Sequence, residues 1–207
     1  DWSSDVCSSD LHRHRLILSL RHCMAALMVY GQPMAMHIIA GKHRGRRIEA
    51  PEGKEVRPTT ARTREAIFNI LSHGEYGERG VLQGRVADIF CGSGAMGLEA
   101  LSRGASHVTF VDKNRISLEA VEFNVERFGE QANCKLLRAD SSQLPTVKEA
   151  YDLLILDPPY HSGLGTKSLE TALKGGWLHE GSVIVLELAR KEEIKVPDGI
   201  AIDDVRD

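Results

Sequence analysis

Residues 86–104, VADIFCGSGAMGLEALSRG, decide the fold. A short apolar run of strand length (VADIF) stops at a glycine-rich loop, and a stretch with helical spacing follows at once. Gly92, Gly94 and Gly97 form a GxGxxG pattern between them, in which the missing side chains let a ligand approach the backbone where a helix begins. Working outward, the next apolar run, HVTFVD, ends at Asp112, twenty residues beyond Gly92. A carboxylate at that distance suits the two hydroxyls of a ribose. Taken alone, this pair fits any protein that binds a nucleotide-like cofactor on a parallel sheet, a dinucleotide-dependent oxidoreductase included.

The same alternation continues along the chain. Strand-like runs at 86–90, 107–112, 134–138, 151–157 and 182–188 are separated by helical stretches at 95–103, 115–128, 142–149 and 167–175. Short buried strands alternating with helices predict an α/β fold with a doubly wound, mostly parallel sheet. At 207 residues, 42% hydrophobic and 27% charged, the chain has the size and composition of one globular domain. Its four cysteines (Cys7, Cys23, Cys91 and Cys134) show neither a CxxC nor metal-ligand spacing, and the histidines form no HExxH, so no metal is expected. No apolar run reaches the roughly 18 to 20 residues that span a bilayer.

Three regions are expected. Residues 1–33 open on polar, aperiodic text, and 11–30 imitate a signal peptide whose apolar part is cut by Arg21 and His22. They read as a non-native or disordered leader, with Met34 or Met36 as the natural start. Residues 34–72 form a basic arm in which HIIAGKHRGRRIEA predicts a small β-hairpin and TARTREAIFNILS an amphipathic helix capped by Thr59 or Thr60. Between 36 and 64 eight lysines and arginines face three glutamates, a local excess of positive charge within a chain whose formal net charge is −3. Lys42, Arg44, Arg46 and Arg47 are the candidates for contact with nucleic-acid phosphates. Residues 73–207 carry the main domain, with only VPDGIAIDDV as material for a sixth strand, so the C-terminus reads as truncated.

Two further groups reach the same sheet edge. Asp140, after the third strand, could accept a hydrogen bond from an adenine amino group or cap the helix expected next. Asp157, Pro158, Pro159 and Tyr160 follow the apolar run YDLLIL. Two prolines stiffen the turn and remove two backbone donors, leaving carbonyls and the Asp157 carboxylate as fixed acceptors. An exocyclic amine with two N–H groups would need such a set, because its lone pair is delocalised into the base until acceptors hold the hydrogens. Tyr160 offers a face on which the base could stack.

Together DIFCGSGAMGLEALSRGA, FVDKN, DPPY, IIAGKHRGRRIEAP and RPTTARTREAIFNIL resemble the RsmD family, bacterial enzymes that methylate N2 of a guanine in 16S ribosomal RNA. The resemblance runs from about Met36 to the end and implies a class I, Rossmann-like, S-adenosylmethionine-dependent methyltransferase. It implies that Asp88, Gly92, Gly94, Asp112 and Asp140 contact the cofactor, that Arg57, Pro58, Thr59 and Thr60 close over its methionine end, and that Asp157 to Tyr160 hold the guanine. The implied partner is 16S ribosomal RNA, free or in an assembling small subunit, met by a cytoplasmic monomer. An oxidoreductase would leave the Asp-Pro-Pro-Tyr turn and the basic arm without a purpose. An inactive RNA-binding protein is suggested only by the short C-terminus, and adenine-N6 methylation of DNA or RNA remains open because the tetrapeptide accepts either amine.

Overall fold

The computed structural model describes residues 14–21, 36–51, 60–190 and 192–206. Its centre is a seven-stranded sheet built from β1 (His14–Arg21), β4 (Arg85–Ile89), β5 (His107–Asp112), β6 (Cys134–Arg138), β7 (Tyr151–Leu156), β8 (Leu178–Ala189) and β9 (Ile200–Arg206). The order across it is β6-β5-β4-β7-β8-β1-β9, with every neighbouring pair parallel. Because the connection reverses direction at β4, a crevice opens beyond the C-terminal ends of β4, β5 and β7, where such sheets bind their ligands. β4, β5 and β7 are buried along nearly their whole length, as expected for strands covered on both faces.

One face of the sheet is covered by α1 (Ala61–Ser72), α3 (Ala95–Arg103) and α4 (Arg115–Phe128), whose Ile67, Phe68, Leu98, Leu101, Val121 and Val125 pack on Val86, Val108, Phe110 and Ile155. On the other face, Leu169 and Ala172 of α5 (Leu164–Lys174) and Trp177 cover Ala87, Ile89, Leu154 and Leu186. Helices on both faces fulfil the doubly wound expectation. The hairpin is present as β2 (Met36–His37) and β3 (Arg47–Ile48), paired antiparallel, and a short helix, α2 (Gly74–Glu78), follows α1. Thr60 caps α1 by accepting from Thr63 N–H at 3.1 Å.

The arm is fastened by two buried carboxylates, Glu99 and Glu130. Glu99 of α3 accepts from the backbone N–H groups of Ile39 (2.8 Å) and Ala40 (3.0 Å) and from Arg103 Nε (2.8 Å), while the buried Arg64 of α1 donates to His37 O at 2.6 Å. The loop of the hairpin then lies against the last turns of α3 and α4, with Lys42 N–H on Ser102 O and Arg46 Nη2 on Arg127 O.

Two expectations are corrected. Residues 14–21 of the supposed leader are not outside the domain: β1 lies between β8 and β9, pairing in parallel with both, and Leu16 and Leu18 are buried. A strand flanked by neighbours on both sides and covered on both faces needs a nearly continuous apolar run, so LILSL lacks the alternation of a half-exposed strand. The helix expected at 142–149 is also absent; a 3-10 turn at Ser141–Gln143 gives way to extended chain. Leu144 precedes Pro145 and is held extended (ψ 134°), because the proline ring disfavours the α-conformation in the residue before it.

Candidate active site

β4, β5 and β7 end in register: Ile89 pairs with Val111 on one side and Leu156 on the other, while Asp112 pairs with Arg138 of β6. The loops that follow therefore meet at one edge, around a cavity of about 200 Å³. Gly92, Asp112, Asp140, Asp157 and Pro159 line it, together with the apolar Phe90, Val111, Ala139 and Leu164.

Asp112 is oriented by the backbone before any ligand arrives. Its Oδ2 accepts from Gly92 N–H (3.1 Å) and its Oδ1 from Asn114 N–H (2.8 Å), so one carboxylate ties the glycine loop to the start of α4. Asp140 is a cap, with Oδ1 accepting from Ser142 N–H (2.9 Å) and Oγ (2.6 Å) at the start of the 3-10 turn, and the residue also lines the cavity. Those Ser142 hydrogen bonds hold its pKa below the ordinary value, so it is ionised at neutral pH.

Asp88 and Gly94 stand behind the cavity and do not line it. Asp88 is buried and accepts from Gly97 N–H at 2.8 Å, supplying from a neighbouring strand the cap that Gly94, with φ 75°, has no side chain to give. Burial pushes the Asp88 carboxyl up to about 7, and the charges of Asp157 and Asp112 add to the rise. Gly97 is required for packing: a Cβ there would sit 2.3 Å from Phe110 Cε1. Burial likewise raises the Cys91 thiol well above its usual value, which makes it a poor nucleophile.

After β7, Pro158 is buried, Pro159 reaches the cavity and Tyr160 is half-buried. The turn closes on itself through Ser162, whose Oγ donates to Pro159 O (2.6 Å) and accepts from Leu164 N–H (3.2 Å). Two residues at this edge hold the left-handed conformation without being glycine, Phe90 (φ 67°) and His161 (φ 54°). Such strain gathers at ligand-binding loops. Phe90 is a cavity residue that the sequence pattern did not single out; its place inside the strand-to-loop junction is the available signal.

Of the other candidates, Arg57, Pro58 and Thr59 lie outside the described residues, and Thr60 is exposed with its hydroxyl engaged as the α1 cap. Lys42, Arg44 and Arg46 are not at the cavity. They sit at the far ends of α3 and α4, and α4, at 14 residues and ~1.5 Å per residue, puts them roughly 20 Å away. Lys42 is paired with the buried Glu130 (2.6 Å), Arg46 stacks on Phe128 with its guanidinium carbon 4.7 Å from the ring centre, and Arg47 faces Glu49 at 3.4 Å. Arg44 is exposed and forms no ion pair among the described residues.

The family described as Conserved hypothetical protein 95 matches residues 36–206. The chain belongs to this family. Ribosomal RNA small subunit methyltransferase D of Buchnera aphidicola (subsp. Acyrthosiphon pisum) is 30% identical over 78% of this chain and 82% of its own length. The protein of the same name from Escherichia coli K12 is 30% identical over 73% and 74%, respectively. The solved structure of yhhF from Escherichia coli superposes with a TM-score of 0.65 at 30% identity, covering 79% of this chain and 87% of that one. The architecture is that of a class I, Rossmann-like methyltransferase, and the resemblance to the RsmD family holds. β1 precedes the matched residues.

The cavity of this methyltransferase combines a backbone-held carboxylate, a second carboxylate and apolar walls, a set of acceptors and surfaces that fits a nucleoside with its diol, amine and flat base. Asp112→Ala removes the first of these and also releases the two backbone N–H groups of Gly92 and Asn114. Cofactor affinity should fall by about tenfold or more, a single polar interaction of this kind being worth ~1 to 3 kcal/mol, with a modest drop in melting temperature. Titration calorimetry giving parental affinity would remove Asp112 from the site.

Proposed function

We propose that this chain transfers the methyl group of S-adenosylmethionine to the exocyclic N2 of a guanine in 16S ribosomal RNA, acting as a cytoplasmic monomer on free RNA or an assembling small subunit. The observation that carries this reading is the opening of Asp157 and Pro159 onto the same cavity as Asp112 and Asp140. An acceptor for an amine then stands beside acceptors for a nucleoside. The cofactor supplies an electrophilic methyl on sulfonium. Asp112 and Asp140 hold its nucleoside part, Asp157 accepts an N–H of the guanine amine, and Tyr160 stacks on the base. With the cofactor bound, Asp157 would keep the amine nitrogen in line with the sulfonium methyl and, directly or through water, take the proton that nitrogen sheds.

The test is incubation of the enzyme and labelled cofactor with naked 16S RNA and, separately, with small-subunit particles, followed by mass mapping of modified nucleosides. N2-methylguanine is expected; N6-methyladenine or no label would overturn the assignment.

The basic arm adjusts this picture. At roughly 20 Å from the cavity, measured along α4, it can meet a phosphate only of RNA that runs down the α3–α4 face. Lys42 and Arg46 are already committed within the fold, so Arg44 and Arg47 are the better probes. Replacing both with Ala should weaken RNA binding and flatten its dependence on salt by about 0.7 to 0.9 in log–log slope for each phosphate that is no longer neutralised. A slope that stays at the parental value would make the arm a solvated face.

A further inference from the structure

The Asp-Pro-Pro-Tyr turn is gripped from outside by a residue that neither lines the cavity nor belongs to the turn. Just past β8 the chain folds back, with Glu192 N–H donating to Ala189 O at 2.9 Å. This places the Glu192 carboxylate between two backbone donors. Its Oε2 accepts from Ala189 N–H (3.1 Å) at the end of β8, and its Oε1 from His161 N–H (3.0 Å), the residue directly after Tyr160. Pro158 and Pro159 have no N–H and Asp157 N–H is given to Ile89 O (3.4 Å), so a carboxylate can hold this turn only beyond the prolines. Among the described residues His161 is one of two non-glycine residues in the left-handed conformation, which persists where the surroundings impose it. Ser162 pins the turn from inside through Pro159 O and Leu164 N–H.

We propose that Glu192 is a positioning residue for the methyl transfer: by bridging the end of β8 to His161 N–H it fixes the strained turn, and with it the direction of Tyr160 and Pro159 toward the target base. This rests on the reading of Asp157 to Tyr160 as the holder of the amine. A charged acceptor makes shorter and stronger hydrogen bonds than a neutral one. Glu192→Gln, which keeps one acceptor oxygen, should therefore fall between the parent and Glu192→Ala.

The experiment has two independent readouts. In methyl transfer to 16S RNA, Glu192→Ala should lower kcat by about 10- to 100-fold, the scale of a misplaced reacting group. Its KM for S-adenosylmethionine should stay within about twofold, because Asp112 and Asp140 are untouched, and Glu192→Gln should recover part of the loss. In hydrogen exchange without substrate, peptides spanning 158–165 should exchange faster in Glu192→Ala, with those of β4 and β5 unchanged. Parental exchange across 158–165 overturns the proposal whatever the rate. A parental kcat alongside an active parent enzyme overturns it as well. If the parent itself methylates no RNA, the proposed function fails, and the exchange measurement still decides whether Glu192 holds the turn.

Discussion

Leu16→Asp is expected to destabilise the protein by roughly 4 kcal/mol or more, and deletion of residues 1–21 to do greater damage. Leu16 is fully buried in β1, where its neighbours are Ile184 of β8 and Ile202 of β9. Losing a buried leucine forfeits ~1.5 to 3 kcal/mol, and a carboxylate in its place adds several more or must take up a proton. Deletion goes further because β1 is the only strand joining β8 to β9 among the described residues. Without it the edge of β8 is left with unpaired backbone groups, and β9 loses the strand it pairs with among the described residues, together with Arg15, which faces both Glu75 and Asp203. Urea unfolding measures both variants. Should Leu16→Asp unfold within about 0.5 kcal/mol of the parent, the range of an ordinary surface substitution, β1 is not part of the sheet in solution.

What the sequence makes legible is whatever a few consecutive residues specify. The glycine loop with its strand and helix, the Asp-Pro-Pro-Tyr turn and the Thr60 cap each depend on local backbone chemistry, and each stands where the sequence pattern puts it. β1 is hidden because a strand paired on both sides, with Leu16 to Leu18 buried, has the same apolar text as a signal peptide. The false helix at 142–149 comes from weighing an Asp-Ser start above a proline four residues later.

The remaining gaps are relations between distant segments. Positive charge in the arm is visible in the sequence, but its attachment to the far ends of α3 and α4 depends on Ser102, Arg127 and Glu130, residues distant along the chain. Asp112 looks like a free ligand for a ribose, whereas its tie to Gly92 exists only once β4 and β5 lie side by side. Glu192 carries no motif at all; its meeting with His161 follows from the adjacency of β7 and β8. Side chains whose task is to hold other residues still are therefore the ones that a sequence conceals best.

Asp157→Ala is expected to lower the rate of methyl transfer by about 10² to 10³, the usual cost of one preorganised electrostatic contact. The carboxylate sits at the end of β7, beside the buried Asp88 whose proton affinity it raises, in a turn whose two prolines cannot shift to replace it. If its work is to hold the guanine amine in line with the methyl group, an oxygen acceptor at that point matters more than a strong base. Asp157→Asn, which keeps one such oxygen, should then retain measurable turnover where Asp157→Ala has almost none. Cofactor affinity should be nearly parental in both on the proposed reading, in which Asp112 and Asp140 provide it. Tyr160 separates stacking from hydrogen bonding in the same way: Tyr160→Phe should be mild and Tyr160→Ala severe, a stacked base being worth ~1 to 3 kcal/mol. Single-turnover rates with calorimetric cofactor binding distinguish these outcomes. If Asp157→Ala methylates guanine as fast as the parent, the amine is held elsewhere, and the tetrapeptide is only the turn that ends β7.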